Sequence, residues 1–198
     1  MKLIIVRHGE TLENTKGITQ GQSNFQLTQN GIEQAKKVSN MLKNTKIDIA
    51  FSSDLDRTVD TCIEILKFHN NAKFIKTPIL REQSKGIFEG KTREEKSRLL
   101  KESIKFYHEW APTGGESLIE VWERVIPFFE KIKEEYPDKN VLFVSHGGPI
   151  SCLLTYLHNR EIKYSEEYVP KENTSMSIIS IQGRKIEIEI LNSSKHLD

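Results

Sequence analysis

The stretch Lys2-Leu3-Ile4-Ile5-Val6-Arg7-His8-Gly9-Glu10-Thr11 decides how this chain is read. A short apolar run stops abruptly at a cation, a histidine and a glycine. A run of that length without polar alternation predicts a strand buried on both faces. A second such run, 140–144, ends in Ser145-His146-Gly147-Gly148. If both strands lie parallel in one sheet, His8 and His146 emerge at the same edge. Open α/β sheets bind ligands there, past the carboxyl ends of their strands. Two imidazoles beside arginines point to phosphate chemistry: one can attack phosphorus while the other holds the charge that develops.

The rest of the chain alternates strand and helix signals. Thr28 predicts the cap of a helix to about Lys43, with Ile32, Ala35, Val38, Met41 and Leu42 inward. Residues 47–52 predict a buried strand. Asp54 then predicts a capped helix to about Phe68, with Val59, Cys62, Ile63 and Leu66 inward. Phe74-Ile75 marks a short strand ended by Thr77-Pro78, and 80–90 a loop. A charged helix is expected from Thr92 to about Trp110, followed by a break at 111–115. Residues 116–136 are amphipathic through Leu118, Val121, Trp122, Val125, Phe128, Phe129 and Ile132, with Pro127 expected to kink them or remove a hydrogen bond. A helix from about Pro149 to Leu157 follows the 140–144 strand, and a hairpin pairs 175–181 with 185–191 across Gln182-Gly183. This order predicts an α/β fold in one domain, 1–198: a three-layer sandwich whose mostly parallel sheet carries helices on both faces. Residues 80–115 form an excursion that overhangs the strand ends.

Composition narrows the function. Charged residues make up 29% of the 198 residues, yet the net charge is +1, which argues against nucleic acid as a partner. Cys62 and Cys152 fall in apolar helical patterns, as expected of reduced thiols in a cytoplasmic protein. No CxxC or HExxH supports a zinc site, no apolar stretch approaches the ~20 residues of a membrane span, and the N-terminal run is too short for a signal peptide. The N-x-Ser matches at Asn173 and Asn192 carry no weight without a secretory signal. Oligomeric state is not legible, and a homodimer stays open.

Five residues carry the candidate chemistry. His8 has a cation before it and a glycine after it, so the backbone can turn toward a ligand. Arg57 should occupy the first turn of a helix at the same sheet edge, where a forked guanidinium suits phosphate. Glu82 opens the irregular segment and can protonate a leaving oxygen; alone it is an ordinary loop glutamate, with Arg81 and Lys85 as salt-bridge partners. His146 precedes two glycines whose amides can add donors to an anion. Arg7 flanks the first histidine. Two other motifs fail. Histidine-glycine-glycine lacks the G-x-S-x-G elbow of esterases, and Gly86-Ile87-Phe88-Glu89-Gly90-Lys91-Thr92 is one residue short of a nucleotide-binding loop.

Taken together, these residues resemble the histidine phosphatase superfamily, the phosphoglycerate mutase-like fold. The resemblance rests on Arg7-His8-Gly9-Glu10-Thr11 with Asn14, Gln20-Gly21-Gln22, Leu27-Thr28 with Gly31, Ser52-Ser53-Asp54-Leu55-Asp56-Arg57-Thr58 with Thr61, Leu80-Arg81-Glu82, Gly114-Gly115-Glu116-Ser117 and Ser145-His146-Gly147-Gly148, in order along nearly the whole chain. It implies that His8 is a phosphorylated nucleophile and Glu82 the proton donor. Arg7, Arg57 and His146 would hold phosphoryl oxygens, and Asn14, Gln20, Gly21 and Gly147 would line the phosphate pocket. It implies no metal and no cofactor, and a small phosphorylated substrate. Asn24-Phe25-Gln26 and Gln83-Ser84-Lys85 depart from the pattern of many relatives. The short build after Glu82 resembles the phosphatase branches more than the mutases, so hydrolysis is expected and mutase activity is the alternative.

Overall fold

A computed structural model describes residues 1–99 and 107–198. In chain order its strands are β1 (Lys2–Arg7), β2 (Ile49–Ser53), β3 (Lys73–Thr77), β4 (Asn140–Ser145), β5 (Met176–Gln182) and β6 (Lys185–Ser193). Its α-helices are α1 (Leu12–Thr15), α2 (Gln29–Leu42), α3 (Asp56–Leu66), α4 (Arg93–Leu99), α5 (Leu118–Glu135) and α6 (Gly147–Leu157). One six-stranded sheet runs β3-β2-β4-β1-β5-β6. The first four are parallel, and the β5–β6 hairpin adds antiparallel to β1.

Strand alternation sorts side chains to two faces. Leu3, Ile5, Phe51, Val141 and Phe143 pack against α5 and α6 on one side. Ile4, Val6, Ala50, Leu142 and Val144 pack with Val38, Leu42, Cys62 and Ile65 of α2 and α3 on the other. The expected sandwich with helices on both faces is therefore present. The central strands read as unbroken apolar runs because both their faces are covered.

Caps fix where the helices begin. Thr28 Oγ1 accepts the Gly31 N–H at 2.9 Å and starts α2 as expected. Ser117 and Glu120 form a reciprocal capping box at α5, which continues through Pro127. Other expectations fail locally. Asp54 does not cap α3; Leu55 holds that position with no side-chain hydrogen bond, while Asp54 takes a two-pronged pair from Arg81 at 2.7 and 2.6 Å. The inward face of α3 is rotated: Arg57, Thr58, Thr61, Cys62 and Ile65 are buried and Ile63 is exposed. Met41 of α2 is also exposed. The α3 rotation follows from turning Arg57 and Thr61 toward the sheet edge. The 147–157 helix begins at Gly147, two residues early, and α1 and a 3-10 turn at Ile162–Tyr168 carried no periodic signal. The helix expected over 92–110 is helical over Arg93–Leu99; its continuation at 100–106 lies outside the described residues.

Candidate active site

Parallel pairing of β1 with β4 places Arg7 opposite Ser145. The His8 N–H donates to the Ser145 carbonyl at 3.0 Å, so His8 and His146 leave the sheet side by side. Their ring centroids are 5.2 Å apart. The loop after His8 is held tightly. The Gly9 N–H donates to Thr61 Oγ1 at 2.9 Å, and a Cβ on Gly9 would lie 2.6 Å from the Gly31 carbonyl oxygen. Glycine is required there by close approach of backbone to backbone.

His8 Nδ1 lies 2.8 Å from the Gly9 carbonyl. That contact holds the proton on Nδ1 and leaves the Nε2 lone pair for a ligand. Burial, reinforced by Arg57 and Arg7, holds the His8 pKa well below its ordinary value, so the ring is neutral. His146 is fully buried and shifted the same way, by burial first and then by Arg57, His8 and Arg7. Neither His146 ring nitrogen has a hydrogen-bond partner.

Arg57 is buried and, among the described residues, forms no ion pair. Its Nη1 donates to the Ser23 carbonyl and its Nη2 to the Gly21 carbonyl, both at 2.9 Å. Burial lowers its pKa to about 10, still charged at neutral pH. Arg7 Nη1 donates to the carbonyls of Pro170 and Lys171 at 3.1 and 2.9 Å. The Nε of each arginine is buried and unpartnered. Two guanidinium N–H groups and a whole imidazole thus lack partners around His8, in an interior where buried polar groups are otherwise paired. An anion with several oxygens can accept from both guanidinium N–H groups and from the one N–H of the imidazole.

Glu82 sits at the mouth of this edge. Its Oε1 accepts the N–H groups of Gly148 at 3.0 Å and Gln83 at 2.8 Å. The Gly148 amide is therefore occupied by Glu82 and does not face an anion as expected. Neither Arg81 nor Lys85 pairs with Glu82: Arg81 holds Asp54, and Lys85 contacts Gln83 and Tyr107. Gly147 borders the same cavity, where a Cβ would lie 3.6 Å from Glu82 Oε2.

Asn14 closes a capping box with Thr11, and its Oδ1 accepts from Thr11 N and Oγ1 and from Asn173 Nδ2. Only its Nδ2 is left for a substrate oxygen. Gln20 has a buried, unpartnered Oε1, and an amide flip would present donors at that point. Gly21 acts through its carbonyl on Arg57; its φ of +54° favours glycine, and a Cβ there would meet the Glu89 carboxylate.

Further residues brace the site. Asn173 Nδ2 and the Thr174 N–H both donate to the His8 carbonyl, at 3.0 and 3.2 Å. Arg124 reaches the carbonyls of Arg81 and Glu82 at 2.8 and 3.1 Å. Glu116 accepts from Gln22 Nε2, the Ser84 N–H and Arg124. The N-x-Ser match was the one signal at Asn173, and it carried no weight without a secretory signal.

A family described as the histidine phosphatase superfamily (branch 1) matches residues 3–194. Phosphoserine phosphatase 1 of Hydrogenobacter thermophilus is 31% identical over 201 residues, covering 100% of this chain and 94% of that protein. A 2,3-bisphosphoglycerate-dependent phosphoglycerate mutase of Rhizobium etli is 37% identical over 163 residues, covering 76% of this chain and 77% of that protein. Among solved structures, a phosphoserine phosphatase of Entamoeba histolytica in complex with phosphoserine superimposes with a TM-score of 0.84 at 28% identity, covering 99% of this chain and 98% of that one.

Proposed function

The chain belongs to the histidine phosphatase superfamily, and on that premise we propose that it hydrolyses small phosphomonoesters through a phosphohistidine at His8. The observation that carries this reading is the set of unpartnered buried donors on Arg7, Arg57 and His146 around a neutral, tautomer-fixed His8.

In the first step His8 Nε2 attacks phosphorus. The P–N bond forms as the ester P–O bond breaks, and Glu82 gives its proton to the departing oxygen. The Nε groups of Arg7 and Arg57, with His146, hold the equatorial oxygens, and the amides of Asn14 and Gln20 and the Gly147 backbone complete the cradle. In the second step the Glu82 carboxylate takes a proton from water, water oxygen bonds to phosphorus, and the P–N bond breaks. Inorganic phosphate leaves and His8 returns to its neutral form. No step calls for a metal. Small phosphorylated metabolites suit a cavity of about 540 Å³ beside Glu82. A cytoplasmic setting fits two buried free thiols, that of Cys152 pushed up to about 12 by burial.

The similarity to the Rhizobium etli mutase supports the second reading, in which the phosphoryl group returns to an isomeric hydroxyl. Rapid quench with labelled substrate and chelator present should give an acid-labile, base-stable adduct on His8. With 3-phosphoglycerate and a trace of 2,3-bisphosphoglycerate, inorganic phosphate should outpace 2-phosphoglycerate. Fast isomerisation with little phosphate release would establish the mutase instead, and no adduct would remove both readings.

A further inference from the structure

The cavity beside Glu82 is larger than a phosphoryl group needs. Besides the residues already assigned to phosphate and to the leaving oxygen, it is bordered by Lys85, Tyr107, Lys171 and Glu166, with Ser151 and Ser165. Arg7 also lines it but is assigned to phosphate, and Glu82 to the leaving oxygen. Among the described residues, Lys85 and Lys171 then face one carboxylate, Glu166, which leaves one positive charge in excess.

Lys85 is presented to this space by its neighbours. Gln83 is buried, and its Nε2 donates to the Glu116 carbonyl at 2.7 Å. That bond fixes the amide so that Oε1 points the other way, where it accepts from Lys85 Nζ. Lys85 Nζ also donates to Tyr107 OH at 3.3 Å and lies 5.7 Å from the centre of that ring. Both hydrogen-bond partners are uncharged, and an ammonium so held has a third N–H left to donate. Lys96 of α4 lies near enough for its charge and that of Lys85 to repel, which after burial contributes to the lowered pKa of Lys96. Tyr107 OH can turn its own proton toward a second oxygen of the same group. One ammonium and one phenol hydroxyl match the two oxygens of a single carboxylate.

We propose that Lys85, braced by Gln83 and Tyr107, selects phosphomonoesters whose leaving alcohol carries a carboxylate. This rests on the phosphatase reading and names its substrate class. A second phosphate on the alcohol would offer similar chemistry but more charge and bulk than one ammonium and one hydroxyl match.

The test compares 3-phosphoglycerate, glycerol 3-phosphate and fructose 1,6-bisphosphate as substrates, with p-nitrophenyl phosphate as a reference. Wild type should favour 3-phosphoglycerate over the other two by at least about tenfold in kcat/KM, mainly through KM. Lys85→Met should collapse that ratio and Lys85→Arg should restore part of it. Equilibrium binding of the same esters to His8→Ala protein should show the same order without turnover. Equal kcat/KM for the carboxylate and hydroxyl esters, a preference for the bisphosphate, or a Lys85→Met variant that loses all substrates equally would overturn the proposal. Failure to turn over p-nitrophenyl phosphate counts against the phosphatase reading; the binding order then still decides for or against Lys85.

Discussion

At the strand ends, His8, His146 and Arg57 are 3%, 0% and 0% exposed, and each is delivered by a strand or by the first turn of a helix. A few residues away, Glu82, Gln83 and Lys85 lie in an irregular segment, fixed by bonds from side chains to backbone: Arg124 on the Glu82 carbonyl, Glu116 on the Ser84 amide, Glu89 on the Lys85 amide. The first region positions groups by sheet register, which cannot drift without unpairing β1 from β4. The second positions them through side chains that can be exchanged one at a time. The difference suggests a division of labour, with phosphoryl chemistry on the platform and discrimination among alcohols on the overhang.

The largest expected effect tests the platform. His8→Ala should lower kcat by at least about four orders of magnitude on every ester, since the covalent route is lost. A loss confined to one class of leaving group would break the division. Arg57→Ala or His146→Ala should each cost about a hundredfold to a thousandfold in kcat, equally for good and poor leaving groups, with far-ultraviolet circular dichroism unchanged. Near-normal kcat/KM in both would mean that the orphaned donors do not face phosphate. Glu82→Gln tests the seam between the regions. It should slow alkyl phosphates by about a hundredfold or more, yet p-nitrophenyl phosphate much less, because that phenolate leaves without a proton. Equal losses would move the acid elsewhere.

The smallest effect is on stability. His8 and His146 are held neutral by burial, so their folded pKa values lie below the ordinary 6.5. Between the folded values and 6.5 the unfolded chain binds more protons. Stability is therefore full above about pH 6.5 and declines as pH falls, by up to about 1.4 kcal/mol per pH unit for each histidine. His69 and His196 shift the same way more weakly exposed to the same cause, burial. Urea midpoints at pH 7.5 and 5.5 should show the decline, and His146→Gln should make it shallower. A midpoint that does not change with pH in wild type would contradict the burial of neutral imidazoles.

Why the sequence revealed one region better follows from the same contrast. A glycine directly after a histidine at the end of an apolar run marks a strand end, and strand ends of one sheet meet. His8, His146 and Arg57 could therefore be placed together before any coordinates. Gln83 and Glu116, in loops, and Arg124, on α5, carry no such mark, since a side chain that bonds the backbone of a distant loop obeys no periodicity. Asp54 misled for a related reason: it has the chemistry of a cap, but Arg81 competes for both its oxygens. Thr174 was hidden more deeply. Its φ of +56° is unusual for a β-branched residue and is stabilised by contacts that include the donation of its amide to His8.

That contact has a consequence in time. The His8 carbonyl is gripped by Asn173, 165 residues along the chain. Both neighbours of β1, β4 and β5, are also late in the sequence. During synthesis at roughly 5–20 residues per second, β1 waits on the order of ten seconds or more for its partners. Throughout that interval it is an apolar strand with two open edges, the form most prone to pair with another chain. The strand that leads into His8 is thus made long before its sheet neighbours, and synthesis halted before β5 leaves a chain with the histidine but without its grip.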